Sequence, residues 1–192
     1  AWEMAVDGAI AAACGMQGIR VEPQMVEEAS DDAVAAFAPD VYGAMIDHLC
    51  GGDPETAARV RRAVAGMTGN LDAFQLRPGI DDLLRRLRGQ GLRLAAVSDR
   101  PPAERLARAG IADLFDVTEP GSLSDACARL GLPPSACVAV GDRLDADIAP
   151  ARALGMATVQ FRVGRWRRAR PRSTAEEPDA VVTDVGELEA AI

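Results

Sequence analysis

Residues 137–156 read CVAVGDRLDADIAPARALGM, from Cys137 to Met156. Cys137–Val140 is an apolar run with the length of a buried strand. Gly141-Asp142 then turns the chain, and acids follow at Asp145 and Asp147. Ala146 to Leu154 has a helical composition that stops at Gly155. The stretch predicts a strand, an acidic turn and a helix in that order, which is a βα unit. Carboxylates gathered at the carboxyl end of a strand suit a hard cation such as Mg²⁺, which takes oxygen ligands and keeps some waters. The same acids also have a purely structural reading, because Asp is favoured in a turn and at a helix N-terminus.

Working outward, the same alternation recurs on both sides. Upstream, Pro78-Gly79 precedes Ile80, Leu83, Leu84 and Leu87, an amphipathic helix that Gly89 and Gly91 stop. Leu92–Val97 is a second apolar run, predicted as a buried strand, and Pro101-Pro102 opens a helix ending at Gly110. Phe115–Val117 is a candidate short strand, and Ser122 to Leu130 a helix. Downstream, Ala157–Val163 and Ala180–Val182 are predicted strands, and Gly186–Ile192 a closing helix. Strands alternating with helices at this spacing predict a parallel sheet. Ligand sites in such sheets lie beyond the carboxyl ends of the strands, which points to Ser98-Asp99-Arg100, Gly141-Asp142-Arg143 and Gly164-Arg165. Ser98 can donate to a phosphate oxygen beside backbone N–H groups. Ser98 and Asp99 can equally cap the helix that starts at Pro101.

The N-terminal part has a different pattern. Trp2–Cys14, Gln24 to about Leu49 (broken near Pro39) and Pro54 to about Met67 carry helical periodicity, and no strand is evident. The 192 residues have a net charge of −8 and are 48% apolar. That composition supports a sizeable core and argues against nucleic acid or an anionic membrane surface as the main partner. No long uncharged apolar run predicts a membrane span, and no signal peptide is evident at the start. Cys14, Cys50, Cys127 and Cys137 form no CxxC pair and His48 is the one histidine; buried free thiols of a cytoplasmic protein are expected rather than a zinc site. All 21 basic residues are arginine. The run GRWRRARPR, Gly164 to Arg172, reads as a solvated basic loop with Trp166 packing or touching substrate. The methionines of the first seventy residues read as core filling.

LAAVSD, ending at Ser98 and Asp99, and VAVGDRLDADIAPARALGM, in this order and βα setting, resemble the second and fourth motifs of the haloacid dehalogenase (HAD) superfamily. The resemblance covers about Leu76 to Ile192 and implies an α/β fold, a doubly wound, Rossmann-like parallel sheet over residues 76–192. Residues 1–75 then correspond to an N-terminal α-helical cap that closes over the site. The resemblance further implies an Mg²⁺-dependent phosphatase acting on a small phosphorylated metabolite through an aspartyl intermediate. Ser98 and Asp99 would bind the substrate phosphate. Asp142 would bind Mg²⁺, with Asp147 ligating it or supporting the loop.

Two elements of the family pattern are not among these residues. The first motif, a strand ending in DxD that supplies the nucleophile, would precede Trp2, where only Ala1 stands. The third, a Lys usually followed by Pro, has no counterpart in VTEPGSLSDACARLG, which holds no cation before Arg129. The expectation is therefore that the nucleophile lies before Ala1, in polypeptide beyond these 192 residues. The alternative is a HAD-fold binding or regulatory protein without catalysis.

Overall fold

The computed structural model describes residues 2–68, 76–98, 102–118 and 121–192, which form two compact units. One comprises Ala1–Ala73 together with Gly164–Ala169; the other comprises Phe74–Val163 and Arg170–Ile192.

The first unit is helical: α1 Trp2–Met16, α2 Pro23–Ala35, α3 Val41–Leu49 and α4 Pro54–Thr68. The break expected near Pro39 lies between α2 and α3, where Phe37 takes a left-handed φ of 50° and the Asp40 carboxylate caps α3 by accepting the Gly43 N–H at 2.9 Å. A β-carbon at Gly43 would displace the Asp40 carboxylate from this capping position. Ile10, Cys14, Val34, Met45 and Val60 form the fully buried centre; burying a side chain of this size contributes roughly 1.5–3 kcal/mol. Met45 fills the core as expected, but Met4 and Met16 on α1 are 77% and 66% exposed. α1 is apolar around most of its circumference, so some of its apolar residues face solvent.

The segment from Gly164 to Ala169 corrects the reading of a solvated basic loop. Its 3₁₀ turn places Arg165 and Trp166 inside the helical unit, 7% and 6% exposed. Trp166 packs on Phe37 with ring centroids 5.8 Å apart. The Arg165 guanidinium stacks over Tyr42 at 4.6 Å, donates to Asp7 at 2.7 Å and donates to the Ser30 hydroxyl at 2.6 Å. Arg167 and Arg168 face outward and pair with Glu27 and Asp31. With about three residues per turn, Trp166 and Ala169 fall on one side, and Arg165 joins them in the interior while Arg167 and Arg168 stay outside, so the charge run is split between buried and exposed positions.

The second unit holds a parallel sheet of β1 Val138–Gly141, β2 Ala157–Phe161 and β3 Ala180–Val182, in the order β1-β2-β3. Its helices are α5 Ile80–Gly89, α6 Ala103–Arg108, α7 Leu123–Leu130, α8 Ala149–Ala153 and α9 Val185–Ala191. Strand residues alternate between the two faces. On one face Val159 and Val182 bury against Leu83 and Leu87 of α5 and Leu188 of α9. On the other, Ala139 packs with Cys127 of α7, Ala151 of α8 and Met156. Helices on both faces of a parallel sheet give the doubly wound α/β architecture expected from the sequence.

Three elements differ from expectation: the strands expected at Leu92–Val97 and Phe115–Val117, and the helix expected from Ala146. Leu92–Val97 is not a regular strand; it makes one parallel bridge, Ala95 to Val117. The Asp116 carboxylate accepts the Leu94 N–H at 2.9 Å, and this side-chain acceptor competes with a regular ladder. The helix expected from Ala146 begins instead as a π turn, Leu144–Ile148, with α8 following. Asp147 and Ile148 both donate their N–H to the Arg143 carbonyl. Single π turns of this kind are frequent at functional sites.

Candidate active site at the end of β1

β1 ends at Gly141, and the next seven residues form a tight acidic loop anchored by Leu144 and Ile148, both fully buried. Asp147 folds back beneath the loop: its Oδ2 accepts the Arg143 N–H at 2.9 Å. Burial pushes the Asp147 carboxyl up, and the loop's backbone N–H groups and the nearby Arg143 charge only partly offset it. A β-carbon at Gly141 would lie closer than 3.0 Å to the Cβ, Cγ and Oδ2 of Asp147. Glycine at 141 therefore makes the cradle in which this carboxylate lies.

Asp145 has a different environment. Arg143 grips it with two bonds, Nε to Oδ1 at 3.0 Å and Nη2 to Oδ2 at 2.6 Å. Burial would raise the Asp145 carboxyl, but the guanidinium holds it below the ordinary carboxylate range. Asp142, half-buried, follows directly after the last β1 residue. Its carbonyl accepts from the Gln160 side-chain amide at 3.4 Å.

Among the described residues no group of three or more His, Cys, Asp or Glu side chains is arranged to hold a metal. Mg²⁺ asks for less: one or two carboxylates, with waters and substrate phosphate completing its shell. Asp142 and Asp147, two hard oxygen donors on a cradle a β-carbon would fill, fit that requirement. Asp145 pairs with Arg143 through two hydrogen bonds.

Of the residues singled out from the sequence, Asp142, Asp145 and Asp147 are brought together around Arg143. Ser98 stands on a different segment, three residues past the Ala95 bridge, and is exposed. Asp99 lies outside the described residues, as does Glu119-Pro120. Ser122 caps α7 by accepting the Asp125 N–H at 3.1 Å. Sequence reasoning missed Gly141 as a steric requirement and Gln160 as a partner of the loop. The signals were a glycine directly before the strand-end acid and an amide inside the apolar run ATVQF.

Residues 6–155 match the haloacid dehalogenase-like hydrolase family. The chain belongs to that family. It is 32% identical over 152 residues to glyceraldehyde 3-phosphate phosphatase of Methanopyrus kandleri, covering 72% of this chain and 65% of that protein. It is 36% identical over 118 residues to phosphoglycolate phosphatase of Synechococcus elongatus, covering 55% of each. The match thus spans less than two thirds of the length of these relatives. Among solved structures, it is similar to a predicted phosphoglycolate phosphatase from Haemophilus somnus, with TM-score 0.66 and 20% identity over 96% of this chain and 88% of that one. The HAD-hydrolase YfnB of Bacillus subtilis, a structure bound to magnesium, aligns with TM-score 0.60 and 18% identity over 97% of this chain and 91% of that one. At these identities the structural matches establish the fold alone, and it is the HAD fold.

Proposed function

We propose that the protein is an Mg²⁺-dependent phosphatase of short phosphorylated metabolites, with Asp142 as a metal ligand and Ser98, joined by Asp99, as the binding point of the substrate phosphate. The observation that carries this reading is the strand-end loop in which Gly141 yields its β-carbon space to Asp147 and leaves Asp142 at the carboxyl edge of β1. Asp147 braces the loop through its bond to the Arg143 N–H and is the second candidate carboxylate for the metal. The relatives named for glyceraldehyde 3-phosphate and phosphoglycolate favour a two- or three-carbon substrate. The helical unit corresponds to the family's cap, the element that selects the substrate.

When bound, Mg²⁺ neutralises phosphate charge and orients the group for in-line attack. In the covalent step an aspartate carboxylate takes the phosphoryl group as the ester P–O bond breaks and the alcohol leaves; the aspartate that the family's first motif supplies for this is not among these 192 residues. Free cysteines throughout the described residues accord with a reducing, cytoplasmic setting.

The test is phosphate release by the full-length gene product from glyceraldehyde 3-phosphate and phosphoglycolate, with Mg²⁺ and with a chelator. Turnover of at least one substrate that chelation abolishes is expected. No turnover with either ester, or turnover indifferent to chelation, would contradict the reading.

A further inference from the structure

β2 carries an amide between two apolar residues. Gln160 lies between Val159 and Phe161 and is 0% exposed. Burying a primary amide costs several kcal/mol in an apolar setting unless its hydrogen bonds are met, so its partners indicate why it is there. Its Oε1 accepts two bonds from the Arg162 guanidinium, from Nε at 3.2 Å and Nη2 at 3.0 Å. Its Nε2 donates to the carbonyl of Asp142 at 3.4 Å, a long bond. The pairing register explains the reach. Gln160 stands opposite Gly141 across the β1–β2 ladder, so the two residues project toward the same face of the sheet. That is the face on which Asp147 fills the space a β-carbon at 141 would take. The Asp142 carbonyl is thus held by the Gln160 amide, while Asp147 pins the next residue, Arg143, through its N–H.

The Arg162 contact gives this arrangement direction. A guanidinium donating to Oε1 fixes which end of the amide faces Asp142, since only the NH₂ end can then donate to the carbonyl. It also polarises the amide, which strengthens the bond on its far side. Gln160 spans the gap between β2 and the metal-site loop without itself offering a metal ligand.

We infer that Gln160, oriented by Arg162, is a positioning residue that fixes the Asp142 main chain and so sets the affinity of the site for its divalent cation. This rests on the proposal that Asp142 holds Mg²⁺. Outer partners of this kind change metal affinity by about 10–100-fold when removed.

The experiment is Mn²⁺ binding to the full-length gene product, followed by electron paramagnetic resonance, with competition by Mg²⁺. The variants are Gln160→Glu, which keeps an acceptor for Arg162 but loses the donor to Asp142, and Arg162→Met, a change at a partly exposed position. Circular dichroism melting confirms that each is folded. Both variants are expected to raise the Mn²⁺ Kd threefold or more, the Glu variant about 10-fold. A smaller change in both, with wild-type protein binding Mn²⁺, would overturn the positioning role. Absence of Mn²⁺ binding in the wild type would instead overturn the metal site on which it rests.

Discussion

Gly141 and Asp147 are matched in shape: the carboxylate of one occupies the volume where a β-carbon of the other would stand. The fit lets Asp147 pin the loop backbone at Arg143 while Asp142 remains at the strand end. Gly141→Ala should force Asp147 out of this position. The expected cost is about 1–3 kcal/mol, as for overpacking of a closed site, measured by urea unfolding, together with weaker Mn²⁺ binding. An alanine variant with wild-type stability and affinity would show that the loop repacks freely.

The Asp179 carboxylate links β3 to the start of β2. It accepts the Thr158 N–H and hydroxyl, each at 2.8 Å, and the Arg152 guanidinium at 3.0 Å. The Thr158 bonds, with Arg152 adding to them, hold its carboxyl below the ordinary value. A depressed acid contributes stability that is present above the unfolded-state pKa and is lost as pH falls through the folded one. Thr158→Val removes the hydroxyl and keeps the shape. Its destabilisation should therefore be largest at neutral pH and shrink on acidification from about pH 5 to about pH 2. Denaturant titrations at several pH values, with the Asp179 carboxyl resonance followed by NMR, check this. A pH-independent difference would contradict it.

Arg165 is an anchor of the helical unit rather than a solvent-facing charge. Arg165→Met keeps the stem and removes the bonds to Asp7 and Ser30 and the stacking on Tyr42. Asp7 is partly exposed and can recover water, so the expected loss is about 1–3 kcal/mol rather than that of a fully buried pair. Arg167→Ala, two residues on and exposed, should cost less than about 0.5 kcal/mol. Equal effects of the two changes in thermal melts would refute the division of this segment into a buried and an exposed side.

The cysteines sit in two facing pairs. Cys127 and Cys137 have their sulfurs 3.7 Å apart. Cys14 is pushed up to about 11, by burial first and by the neighbouring Cys50 second. Thiolate is the reactive form, so Cys14 should resist alkylation at mildly alkaline pH until the protein unfolds, and half-buried Cys137 should react before it. Mass-spectrometric peptide mapping after timed labelling reads the order. Early labelling of Cys14 in folded protein would contradict its burial.

Much of the fold was legible because its periodicities are local. The βα pattern around residues 137–161 and the helices before residue 68 follow from spacing, caps and glycine stops. The Leu92–Val97 run misled because its composition says strand while Asp116, far off in sequence, supplies a side-chain acceptor that takes over part of the ladder. GRWRRARPR misled for the opposite reason: arginine reads as exposed, and its burial depends on Asp7, Ser30 and Tyr42, which no local pattern can announce. At the candidate site, the gathering of Asp142, Asp145 and Asp147 after β1 was readable from the motif. Gln160 was not, since its role comes from strand register and not from its sequence neighbours.

The central claim is that Asp142 at the end of β1 holds the divalent cation for phosphate-ester hydrolysis. The most direct measurement is kcat/KM of the full-length gene product and its Asp142→Ala variant, on whichever of the two esters is turned over, at saturating Mg²⁺. The account predicts a loss exceeding the ~10–100-fold that removal of an outer metal partner causes. Unchanged turnover in the alanine variant would contradict it.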